Sequence, residues 1–154
     1  MASNGSVSTT RAYGAGLLGS VVRLNLAVSD VLAQITGEHG TNLADYLVLG
    51  VIRVAPGSRT SPSAITETLG RTSGGMTLTL DRLVASGWVI KSKDPNDGRR
   101  TIIELTEAGM DLALAVNSSL HEWERALALE ESDEAIALLE SLTAAVTERR
   151  ALGA

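Results

Sequence analysis

Apolar side chains at positions 17, 18, 21, 24, 28, 31, 32 and 35 recur at helical spacing and predict a first helix over residues 17–36, closed by Gly37 and Gly40. Residues 42–54, "NLADYLVLGVIRV", predict a second helix with Asn42 as its cap. "APGSRTSP" reads as a loop by composition. Ser61 can then cap a short helix whose first position is Pro62 and whose end is Gly70. After "RTS", a further helix capped by Thr72 or Ser73 runs to about Ser86, with Met76, Leu80, Leu83 and Val84 as its expected buried stripe. Two short helices joined by a tight glycine turn are the outline of a helix-turn-helix.

Beyond Gly87 the period changes. "WVIKSK" (88–93) and "TIIEL" (101–105) are β-branched runs flanking "DPNDGRR", which predicts a hairpin with a loop longer than two residues. A long helix follows from Thr106. A last one starts at a Ser132 cap, with acids in its first turn and Arg149 and Arg150 in its last, matching the helix dipole. The expected fold is therefore mainly α with a small β-hairpin wing. Residues 1–14 form a polar arm, 15–40 an N-terminal dimerisation helix, 41–106 a winged helix domain and 107–154 C-terminal dimerisation helices.

Composition makes the core aliphatic, because aromatics are 3% of the chain and Phe is absent. There is no cysteine, which excludes disulfides and fits a reducing, cytoplasmic location. No unbroken apolar run of about 18 residues is present, so no membrane-spanning helix is expected. The polar N-terminus lacks the pattern of a signal peptide.

The net charge of −5 argues against nucleic acid only until its placement is considered. Residues 53–100 carry eight basic and four acidic side chains, a local balance of +4, and the rest of the chain carries −9. A winged helix could use this basic middle on double-stranded DNA. The second helix of the pair fits the major groove, and its N-terminal residues meet base edges. Here these are Thr72, Ser73, Gly74, Gly75 and Thr77. Leu78 could touch a thymine methyl or pack inward. Asp97 would hold an arginine or the turn backbone while Arg99 reaches into a minor groove. Arg82, Lys93 and Arg100 would add phosphate attraction.

These residues resemble the MarR-type winged helix regulators from about Leu43 to Ala108. The resemblance is carried by "TSGGMT…LDRL…GWV", the Asp97-x-Arg99 pair and "LTEAG". It implies a homodimer with interlocked first and last helices, binding to a palindromic operator, usually as a repressor, and release by a small, often aromatic, effector. It places the wing arginine on Arg99, recognition contacts on Ser73 and Thr77, and the preceding cap on Ser61. Related sequences often carry basic or amide residues where this chain has Leu78 and Thr79.

Other readings fit less well. "GAGLLG" (14–19) has G-x-G-x-x-G spacing, but a polar arm rather than a strand precedes it. His39 and His121 are far apart in sequence with no cysteine partners, and arginines beside Asp94 and Asp97 oppose calcium. No cofactor, metal or catalytic set is implied. The competing function is a winged helix used as a protein-interaction module without DNA binding. The outer helices carry more apolar positions than a single chain needs, including Val21, Leu24, Val28, Leu112, Val116, Leu120, Trp123 and Leu127, which predicts a homodimer. An effector site would lie where the long helices meet the winged module, with Asn25, His39, Tyr46 and Trp123 as candidates.

Overall fold

The computed structural model describes residues 12–95, 97–127 and 133–152, with Arg150 described in its backbone only. Most of the predicted arm and the Ser132 cap lie outside the described residues. The elements are α1 (Leu17–Glu38), α2 (Leu43–Val54), a 3-10 turn (Pro56–Ser58), β1 (Arg59–Thr60), α3 (Pro62–Leu69), α4 (Ser73–Ala85), β2 (Val89–Lys93), β3 (Thr101–Leu105), α5 (Glu107–Ala126) and α6 (Asp133–Ala151). The chain divides into two compact units, Met1–Leu120 and His121–Ala154.

Local chemistry sets most boundaries of the first unit. Asn42 Oδ1 accepts the Asp45 amide at 3.0 Å and starts α2. Ser61 Oγ accepts the Ala64 amide at 3.2 Å, with Pro62 at the first helical position of α3. At Gly70 the backbone turns left-handed (φ 59°), and the amides of Gly70 and Arg71 return to carbonyls of α3. This closure lets α4 begin three residues later. Thr72 occupies the cap position of α4, but its side chain makes no cap bond. Helix α1 runs through Gly37 to Glu38 rather than stopping at it.

The sheet has one strand more than expected. Its order is β1-β3-β2, and β1 lies in the stretch read as loop. Arg59 pairs with Glu104 and Thr60 with Ile103, both antiparallel. Two residues cannot display an alternation, so only the β3 edge identifies them as a strand. The hairpin register runs from Val89↔Leu105 to Lys93↔Thr101.

The core is aliphatic as composition requires. Val48, Leu49 and Ile52 of α2 meet Ile65 of α3, Met76, Leu80 and Leu83 of α4, and Val89, Ile103 and Leu105 of the sheet. The fourth residue expected in the α4 stripe, Val84, is exposed. Thr79 is buried instead, because its hydroxyl is satisfied within the helix by donating to Gly75 O at 3.1 Å.

The "LTEAG" segment ties hairpin to helix. Thr106 Oγ1 donates to Gly87 O at 2.8 Å and accepts the Gly109 amide at 3.0 Å, while the Thr106 amide donates to Trp88 O at 3.1 Å. A Cβ on Gly109 would stand 2.0 Å from that same Trp88 carbonyl. Gly109→Ala is therefore expected to cost about 1–3 kcal/mol by overpacking, read as a lowered midpoint in urea unfolding. Of the "GAGLLG" glycines, Gly19 has a similar cause, since a Cβ there would lie 2.3 Å from Tyr13 O, and Gly14 takes a positive φ of 77°. Gly14 and Gly19 thus have local backbone causes that involve no nucleotide.

Much apolar surface stays bare in the single chain. Leu17, Leu18, Val21, Leu24, Leu26 and Val28 of α1 are exposed, as are Ile136, Leu138, Leu139 and Val146 of α6. By length and composition alone α1 is long and apolar enough to cross a membrane, with a window of mean hydropathy 1.3. The expectation of no such helix is corrected to that extent. It rested on an unbroken run, whereas a window average tolerates Arg23 and Asp30.

Candidate nucleic-acid interface

Helix α4 buries Met76, Thr79, Leu80 and Leu83, which turns the opposite face outward. Thr72, Ser73, Gly74, Thr77 and Leu78 are all exposed there. Ser61 is half-buried at the α3 cap, where its hydroxyl also meets Ser63 Oγ at 2.9 Å. Leu78 is 71% exposed, so the inward alternative does not occur. Nothing of the protein lies within 4 Å of a Cβ built on Gly74, so internal packing does not require that glycine.

The wing stands beside this face. Asp81 lies one turn beyond Thr77 on α4 and pairs with Lys91 of β2 at 3.7 Å. Lys91 and Lys93 share one face of β2 because side chains alternate along a strand. The exposed faces of α4 and β2 are thus neighbours. At the wing tip, the Asp94 amide donates to Arg100 O at 3.0 Å and the Arg100 amide to Asp97 O at 2.8 Å. Asp97 Oδ1 accepts the Arg99 amide at 3.1 Å, and Asp97 Oδ2 pairs with Arg100 Nε at 3.4 Å. Asp97 therefore holds both the turn backbone and Arg100. The Arg99 guanidinium, exposed, has no ion-pair partner among the described residues.

Arg82, read from the sequence as a basic DNA contact, has a second engagement. Its Nε lies 3.1 and 2.9 Å from the two carboxylate oxygens of Asp45, and Nη2 also bonds Oδ1. Asp45 is 2% exposed and receives a further bond from Asn42 Nδ2 at 2.8 Å. Hydrogen bonding to Asp45 raises the Arg82 pKa above its ordinary value, with the Asp45 charge acting the same way and burial opposing. Asp45 was not anticipated. Its signal was available in the Asn42-x-x-Asp45 spacing, which resembles a capping box.

Of the effector candidates, two reach the same helix. His39 Nε2 meets Ser119 Oγ at 2.9 Å, and the Tyr46 hydroxyl donates to Asn117 Oδ1 at 3.4 Å. Burial raises the Tyr46 pKa, with nearby Arg53 opposing, so the phenol is a neutral donor. Thr41 Oγ1 is buried with no hydrogen-bond partner among the described residues. Asn25 is exposed on α1. Trp123 is 38% exposed in the second unit. No cluster of three or more His, Cys, Asp or Glu suited to a metal occurs among the described residues.

Residues 39–100 match the MarR family model. The HTH-type transcriptional regulator PapX of Escherichia coli is 30% identical over 105 residues, covering 66% of this chain and 64% of its own. The match thus spans just under two thirds of that relative. A variant of Escherichia coli MarR complexed with operator DNA is 25% identical, covers 92% of this chain and 99% of its own, and aligns with a TM-score of 0.72. A MarR family transcriptional regulator from Streptomyces coelicolor is also 25% identical, over 84% of this chain and 91% of its own, with a TM-score of 0.71. The helix-turn-helix, its wing and these likenesses agree: residues 39–100 match the MarR family, and the chain is similar in sequence and fold to proteins named as transcriptional regulators.

Proposed function

We propose that this chain regulates transcription as a homodimer bound to a palindromic operator in double-stranded DNA, as a cytoplasmic repressor. The observation that carries the reading is the wing tip beside the bare face of α4. Asp97 fixes the loop and engages Arg100, while Arg99 is left exposed without an ion-pair partner among the described residues. A cation held out on a rigid turn suits a groove of negative potential. Two copies are needed because helix-turn-helix dimers read half-sites about 34–36 Å apart. The bare aliphatic surfaces of α1 and α6 supply material for that pairing, since large exposed apolar patches mark interfaces. The contacts of His39 with Ser119 and of Tyr46 with Asn117 on α5 support a site for a small aromatic effector beside that helix.

The test is the salt dependence of binding to duplex DNA recovered by selection from genomic fragments. Affinity should fall steeply with salt as counterions are released. Arg99→Ala should flatten the log–log slope by about 2, one charge for each half-site, and leave the dimer intact by light scattering. Binding that ignores salt would return the winged helix to a protein-interaction module.

A further inference from the structure

We propose that Leu78 reads thymine methyl groups, so that base recognition by α4 is predominantly apolar. The inference rests on the DNA reading above and specifies what the helix recognises. Polar readout of the major groove uses forked side chains: arginine on guanine, asparagine or glutamine on adenine. The exposed face of α4 has none to offer. Thr77 donates its hydroxyl to Ser73 O at 3.1 Å. Asp81 is paired with Lys91. Arg82 is bonded to Asp45. What projects is Leu78, about 200° around the helix from the buried Met76.

A bare leucine on an otherwise small and polar face needs an apolar partner. The thymine 5-methyl is the apolar group that base pairs display in the major groove. Charge selects duplex DNA as the occupant over a protein groove, because Lys93, Arg99 and Arg100 are exposed on the neighbouring wing. Gly74, one turn before Leu78, leaves open space beside it, so a base edge can approach the leucine without meeting a neighbouring side chain.

Uracil pairs as thymine does but lacks the methyl. A duplex selected from a randomised pool is made in two forms, one with thymine and one with deoxyuridine at the same positions. Wild-type protein should bind the uracil duplex about fourfold more weakly for each thymine contacted, hence about 15-fold for a symmetric pair. Leu78→Ala should bind both duplexes equally, with an unchanged unfolding midpoint because the side chain is exposed. If wild type binds the two duplexes equally while retaining salt-dependent binding, the inference is wrong and the DNA reading stands. Continued discrimination by Leu78→Ala likewise overturns the assignment to this residue. If neither duplex is bound in a salt-dependent way, the DNA reading fails and the inference fails with it.

Discussion

Arg82→Ala is expected to lose roughly 2–3 kcal/mol of unfolding free energy, more than Asp45→Ala does. The asymmetry follows from what each change leaves behind. Removing Arg82 strands a carboxylate that is 2% exposed, with only Asn42 Nδ2 and no counter-charge. Removing Asp45 strands a guanidinium whose side chain is 46% exposed and can take water. The pair links α2 to the recognition helix, so the loss should extend beyond stability. With α4 no longer fixed against the start of α2, affinity for selected duplex DNA should fall even where the variant is fully folded. Arg82→Lys should recover only part of the loss, because an ammonium cannot make the two-pronged contact. Urea unfolding of both single variants and the double variant gives the coupling energy directly. Equal costs for the two single changes would mean that Asp45 is reached by water, and the clamp would be a surface ion pair.

Leu139→Glu is expected to convert the proposed dimer to single chains. On α6, Leu139 is half exposed and shares an apolar surface with Ile136, Thr143 and Ala144. Burying one leucine contributes about 1.5–3 kcal/mol, and the substitution removes two per dimer. It also forces two carboxylates out of water or the interface apart. A loss of roughly 5 kcal/mol corresponds to about four decades in the dimer dissociation constant. Operator affinity should follow, because the second half-site is then no longer held at high effective concentration. Light scattering with circular dichroism separates this outcome from unfolding: the mass should halve while helicity changes little. A variant that stays dimeric would place the interface elsewhere. The same measurement bears on α1, whose composition also suits a membrane span. A chain that purifies without detergent and dimerises through these faces has its apolar surface accounted for.

The sequence by itself determined the elements whose causes are local. Asn42, Ser61 with Pro62, and the left-handed Gly70 set helix ends through atoms within a few residues. The change from helical spacing to short β-branched runs located β2 and β3 within a residue, although Val89 is the one residue of β2 that the core buries. The wing loop was legible for the same reason: its bonds run between residues 94 and 100. Tertiary structure alone decided what depends on distant partners. β1 is a strand only because the β3 edge lies beside it. Thr79 rather than Val84 is buried, because packing selects the helix face and a threonine can satisfy its hydroxyl on its own carbonyls. Arg82 and Asp45 lie 37 residues apart, and no spacing rule couples them. The direction of Leu78 also had to await the packing of α4, since a leucine suits either side of a helix until its neighbours are in place. Local hydrogen bonds are written in short windows of sequence; burial and charge pairing are properties of the assembled chain.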